Sequence, residues 1–277
     1  MPPKIITCAS RKGGVGKTAA SVHLAAALAD LGVRVLVLDL DGQASATSWL
    51  GCRPSRALAE ALVDGAPLAA AVVRSPAAPV DVIPSAGNFL DQAGRILAAE
   101  VGAELVLRRG ITTMLEAEPD RWGVLLIDTA PALGVLTVGA LAAARYVLVP
   151  AEPSTIALAG VRQLVDALEP IRDRLNPDLE LAGVLLSRVD RTALSRDVAA
   201  ALAAAFPGRL MSTVIRDRVA VRESYGHGQP VSVYAPTSDA AADYRAAAVE
   251  LARRVGTALR ATSDSQATLA TQAEGEA

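Results

Sequence analysis

Eight residues near the start of the chain, Arg11-Lys-Gly-Gly-Val-Gly-Lys-Thr18, have the composition of a phosphate cradle. Glycines let successive backbone N–H groups turn toward one anion, and a helix starting at the end of the loop adds unpaired N–H groups and a positive dipole end. In that chemistry Lys17 reaches the β- and γ-phosphates and the Thr18 hydroxyl meets Mg²⁺. Lysine usage supports the reading. Only three of the 27 Lys and Arg residues are lysines, Lys4, Lys12 and Lys17, and two of them lie in this loop. A compact ammonium fits a tight cradle that a planar guanidinium does not. Three carboxylates extend the set: Asp39 and Asp41 in Asp39-Leu-Asp-Gly-Gln43, and Asp128 in Ile127-Asp-Thr-Ala-Pro131. Each segment ends an apolar run, and the second has the Walker B pattern, whose carboxylate holds a Mg²⁺-bound water.

The elements that must position these groups follow from periodicity. A strand over Ile5–Ala9 leads into the loop, and a helix over 18–29 follows it, ending near Leu31-Gly32 with Gly32 in the capping role. Nearly continuous apolar runs predict buried parallel strands at 34–40, 80–84, 122–128, 145–150 and 181–187. Residues 210–215 read as a last strand and 231–233 as a short edge piece. Residues 44–79 look helical and irregular, 88–118 read as one or two helices, and further helices are predicted over 156–174 and 237–260. Alternating strands and helices predict a single-domain α/β P-loop fold, a mostly parallel twisted sheet with helices on both faces. Its ligands bind at the carboxyl ends of the strands, where the three acids fall. The domain is expected over 1–260, and the polar, acidic residues 261–277 read as a disordered tail.

Composition bounds the rest. Aromatic residues make up 3% of the chain and hydrophobic ones 52%, so the core must be aliphatic. A net charge of −2 argues against a generally basic nucleic-acid binder and shifts attention to local patches. Cys8 and Cys52 have neither metal-ligand nor redox spacing, which fits a reducing, cytoplasmic setting. The start lacks the pattern of a signal peptide, and no apolar run is long enough to span a membrane.

Taken together, the loop and the two acid-bearing strand ends resemble the ParA/MinD family of deviant Walker-A ATPases, and more narrowly its ParA/Soj-type partition ATPases, over about residues 4–258. Lys12-Gly-Gly-Val-Gly-Lys-Thr18 carries the family's extra lysine at Lys12. Asp39-Leu-Asp-Gly-Gln43 matches Asp-x-Asp-Pro-Gln with Gly42 in place of proline, and Pro150-x-x-Pro153 is also typical. The resemblance implies ATP and Mg²⁺ as cofactors, with Lys12, Gly13, Gly14, Val15, Gly16, Lys17, Thr18 and Ala19 around the nucleotide. It also implies that Thr18, Asp39 and Asp128 serve the metal, that Asp41 orients the attacking water, and that Lys12 reaches the nucleotide of a second subunit in an ATP-bound homodimer. Hydrolysis would then be slow until a ParB-like or other adaptor stimulates it.

The family's non-specific DNA contacts come from basic residues late in the chain. Residues 188–222 hold seven arginines against three aspartates, a composition suited to sequence-blind phosphate contacts. Arg191 falls on a family position of this kind. The next expected arginine falls on Ala220, so Arg218 or Arg222 is expected to substitute. The implied function is chromosome or plasmid partitioning by a cytoplasmic, nucleoid-associated switch. The alternatives are the same switch moving a chemoreceptor cluster or a microcompartment, or a MinD-like membrane ATPase. The polar, acidic end lacks the basic amphipathic helix that the membrane reading needs, so no membrane partner is expected. No cysteine follows Cys52, which removes cluster-bridged relatives. The loop begins so early that an upstream helix-turn-helix domain is not expected either.

Overall fold

The computed structural model describes residues 2–259, and the predicted tail at 261–277 lies outside the described residues. Seven strands, β1 (Lys4–Cys8), β2 (Val35–Leu40), β3 (Val73–Arg74), β4 (Asp81–Ile83), β5 (Val124–Thr129), β6 (Tyr146–Ala151) and β7 (Glu180–Leu186), form one sheet in the order β3-β4-β2-β5-β1-β6-β7. All neighbours run parallel except β3, which pairs antiparallel with β4. The α-helices among the described residues are α1 (Lys17–Asp30), α2 (Ser45–Trp49), α3 (Ala57–Val63), α4 (Asn88–Leu97), α5 (Val106–Ala117), α6 (Val135–Ala143), α7 (Ala157–Arg174), α8 (Ala193–Ala205), α9 (Val219–Gly226), α10 (Val231–Tyr234) and α11 (Asp239–Val255).

The strands read as unbroken apolar runs because both faces are covered. Val35, Val37, Val124 and Leu126 join the core under α1 and α11, whereas Leu36, Leu38, Leu125 and Ile127 face the core built with α3–α6. A third cluster packs Val147, Val149, Val184 and Leu186 beneath α7 and α8. Burying each such side chain contributes about 1.5–3 kcal/mol, so the central strands are the rigid frame that holds the loops at their ends. Gly32 takes φ +81° just after α1, as its predicted capping role requires.

Two predicted strands are not strands. Residues 210–215 run beside β7 but make only isolated bridges, Val184–Leu210 and Val189–Arg216. Between them the Ser212 and Thr213 amides donate to the Glu250 carboxylate of α11 instead of a neighbouring strand (2.9 Å each). Residues 231–233 start α10, which follows Pro230, and the Val231 amide donates to His23 Nδ1 (3.1 Å). The two-residue β3 is too short to carry a periodic signal.

Aromatic side chains are few, yet several meet at one place. The His23 ring of α1 lies 4.8 Å from Trp49 of α2 and 4.5 Å from Tyr244 of α11, and Trp49 lies 5.0 Å from Tyr225 of α9. Complete burial pushes the His23 pKa down to about 3, so the ring is neutral. Since Nδ1 accepts from Val231, the hydrogen sits on Nε2.

Candidate active site

The phosphate loop connects β1 to α1. Gly14 (φ +77°) and Gly16 (φ +85°) adopt the left-handed backbone that side chains resist, and this curls the loop. A Cβ on Gly16 would also lie 3.4 Å from Ser187 Cβ, so loop and β7 end approach closely there. Val15 is buried and anchors the loop, while Gly13 and Gly14 are exposed. No side chain caps the first turn of α1, which leaves its N–H groups for an anion. Lys17, at the first position of the helix, is buried, with Thr18 and Ala19 half-buried beside it. The sequence-derived nucleotide set is therefore one contiguous turn.

Strand register brings two acids together. Asp128 of β5 is paired with Asp39 of β2 on one side and with Cys8 of β1 on the other. Both carboxylates are fully buried. Their pKa values are raised, first by burial; for Asp128 the charge of Asp39 adds to the rise, while the Thr18 and Ser21 hydroxyls and the Lys17 ammonium oppose it. Ser21, one turn after Lys17, donates to Asp128 Oδ1 (3.0 Å). Asp128 Oδ2 is buried with no hydrogen-bond partner among the described residues. A buried carboxylate oxygen left unpaired is costly. A hard cation or its bound water is what oxygen donors such as Asp128 and Thr18 suit, so the residues present fit Mg²⁺.

Asp39 has a different occupation. Its Oδ1 accepts from the Asp41 amide (3.2 Å), and its Oδ2 accepts from the Thr47 amide and hydroxyl (2.7 Å each). It thus holds the loop that carries Asp41 against the start of α2. Asp41 is half-buried, and its Oδ1 accepts from the Gln43 amide (3.0 Å). Gly42, the departure from Asp-x-Asp-Pro-Gln, lies against α4: a Cβ there would come within 2.5 Å of Asp91 Oδ1, the end of an exposed side chain that can turn away.

A family model described as an AAA domain matches residues 3–181. Soj of Thermus thermophilus, a chromosome-partitioning ATPase, is 40% identical over 255 residues, covering 90% of this chain and 96% of that protein. The chain belongs to the ParA/Soj family. Soj of Bacillus subtilis, a sporulation initiation inhibitor protein, is 36% identical, covering 90% of this chain and 98% of that protein. Among solved structures, cobyrinic acid a,c-diamide synthase from Mycobacterium smegmatis, with a bound ATP analogue and magnesium, superposes with a TM-score of 0.77. It is 29% identical and covers 94% of this chain and 100% of that one.

As a ParA/Soj member the chain is an ATP hydrolase. The family's extra lysine, Lys12, is half-buried and lines a cavity of about 380 Å³ between the phosphate loop and the start of α7, together with Arg11, Pro150, Glu152 and Ile156. The late arginines are less free than their local count implies. Arg216 forms a bidentate pair with Asp243 of α11 (2.7 and 2.9 Å), and Arg218 reaches Asp239 of the same helix (3.1 Å). Arg222 pairs with Asp217 (2.9 Å), and Arg188 lies 3.4 Å from Glu152. Arg191 is exposed, precedes α8 and makes no ion pair among the described residues. The predicted DNA set is thus split into one unpaired and two paired guanidinium groups.

Sequence reading missed Ser21, Thr47 and Ser85. Ser21 had a signal, since it stands four residues after Lys17 on the same helix face. Thr47 had none, since it meets Asp39 across a turn with no motif of its own, and Ser85 had none, since the pairing of β4 with β2 brings it to its partners.

Proposed function

We propose that this chain is an ATP-driven switch that dimerises on ATP, binds DNA without sequence preference and positions or segregates a chromosome or plasmid. A ParB-like adaptor would stimulate its hydrolysis, and its place would be the cytoplasm, on the nucleoid. The observation that carries the reading is the second loop lysine, Lys12, beside a complete phosphate cradle and a buried acid pair. Lys17 and the amides of residues 13–19 would hold the phosphates, and Thr18 and Asp128 would hold Mg²⁺, which neutralises phosphate charge when bound. Asp39 supports the metal shell indirectly by fixing the Asp41 loop. Asp41 would orient the attacking water, and Lys12 would supply positive charge to the nucleotide of the other subunit. A site completed only in the dimer ties hydrolysis to assembly, which suits a switch.

Among the described residues no helix is long and apolar enough to cross a membrane. DNA phosphates are the surface that the exposed Arg191 suits best. Exposed ion pairs such as those of Arg218 and Arg222 are worth about 0–1 kcal/mol, so these residues can exchange their partners for phosphate at little cost. The deciding experiment is binding to random-sequence duplex DNA in ATP and in ADP across a salt series. Binding should require ATP and weaken steeply with salt, and Arg191→Ala should weaken it about tenfold, more than Arg218→Ala or Arg222→Ala. Equal DNA affinity with ADP, or an unaltered Arg191→Ala, would assign these arginines to plain solvated surface.

A further inference from the structure

We propose that Ser85 is a positioning residue for hydrolysis: its hydroxyl holds the backbone turn from which the Asp41 carboxylate is aimed. The inference rests on the role given to Asp41 above. Ser85 is fully buried just beyond the carboxyl end of β4, the strand beside β2. Its Oγ donates to the Asp41 carbonyl (2.7 Å) and accepts from the Gly87 amide (3.1 Å). Its amide donates to Thr47 Oγ1 (2.8 Å), and Thr47 in turn donates to Asp39 Oδ2. Its carbonyl accepts from the Ser55 amide (3.0 Å).

Asp41 itself has few restraints. Among the described residues the carboxylate accepts only from the Gln43 amide, which lies in the same turn, and the turn passes directly into Ala44 at φ +54°, a left-handed backbone on a residue with a side chain. Such a conformation costs about 1–3 kcal/mol and persists only where surrounding contacts impose it. The contacts here come from two directions. Asp39 grips the Asp41 amide from below, and Ser85 grips the Asp41 carbonyl from the neighbouring strand. With the amide and the carbonyl on either side of the Asp41 Cα both fixed, its side chain can point in few directions. Removing the Ser85 hydroxyl leaves the Asp41 carbonyl with the Ala44 amide alone, a bond internal to the turn that moves with it. Ser85 touches neither the phosphate loop nor the paired acid Asp128, so its loss should spare nucleotide binding.

The test compares Ser85→Ala, Ser85→Thr, Asp41→Ala and the double variant Asp41→Ala/Ser85→Ala in the full chain. Readouts are kcat and KM for Mg²⁺-ATP hydrolysis, affinity for a fluorescent ATP analogue, and melting temperature. Misplacing a catalytic group by a fraction of an ångström costs on the order of tenfold, so Ser85→Ala should lower kcat about tenfold with KM and analogue affinity within about twofold. Ser85→Thr keeps the hydroxyl and should recover most of the rate. Adding Ser85→Ala to Asp41→Ala should cost nothing more. An inactive Asp41→Ala beside a fully active Ser85→Ala would overturn the Ser85 role alone, and so would losses that multiply in the double variant. An active Asp41→Ala would overturn the assignment of Asp41 and the inference with it.

Discussion

Among the described residues two places bury carboxylates, and they do it in opposite ways. At the ends of β2 and β5, Asp39 and Asp128 lie in register, both buried, both with raised pKa values, and one oxygen of Asp128 has no partner among the described residues. Under α11, Glu250 is also buried, but its carboxylate accepts from the Ser212 and Thr213 amides and from Arg254. Burial alone would raise its pKa; the backbone amides and the guanidinium outweigh that and bring it down to about 2. The second acid is matched to its surroundings within the chain. In the first pair Asp39 is held by the Asp41 and Thr47 donors, and the oxygen left open to a positive partner among the described residues is Asp128 Oδ2. Burial of an acid therefore says little about function until its partners are counted.

Lys17→Ala removes the ammonium beside the acid pair and the main phosphate contact, and ATP affinity should fall about 100-fold or more by equilibrium binding. Retained affinity would mean that the loop is not the nucleotide site. Asp128→Asn should lower Mg²⁺-dependent hydrolysis by a similar factor while raising the nucleotide-free melting temperature at pH 7. Relief of about 1 kcal/mol corresponds to roughly 2–4 °C. The sign follows from linkage. Because burial and the charge of Asp39 raise the Asp128 pKa in the folded state, stability falls as pH rises above the ordinary carboxylate range, and the asparagine variant should lose that slope. Glu250→Ala should do the reverse. It should cost about 1–3 kcal/mol at pH 7 by chemical denaturation, with kcat within about twofold. The Glu250 contribution is present above the ordinary carboxylate range and fades as pH falls toward about 2. If Glu250→Ala lost activity at full stability, the division between the two regions would collapse.

The same contrast shows what could be read from the sequence. The phosphate loop is a contiguous turn, so its residues announce each other by spacing. Asp39 and Asp128 were legible because each ends a strand whose apolar run is unmistakable, and parallel register did the rest. Glu250 and its amides are nearly forty residues apart, and the diversion of Ser212 and Thr213 is what kept 210–215 from becoming a strand. The arginine segment failed as a local count for a related reason. Asp239 and Asp243, which partner Arg216 and Arg218, come from a helix that the count did not include. Ser85 reaches Asp41 across 44 residues through an adjacent strand, with no motif to mark it.

Of the two tryptophans, Trp122 is buried just before β5, where its indole N–H donates to Asp81, and Trp49 ends α2, the helix that follows the Asp41 turn. Trp49 lies edge-on to a neutral His23 and to Tyr225 of the arginine-bearing α9, and its indole N–H donates to Ser224 (3.1 Å). The molecule thus carries a built-in optical gauge. With Trp122 replaced by phenylalanine, emission from a single indole would report any change in the packing of α2 against α9, without any attached dye.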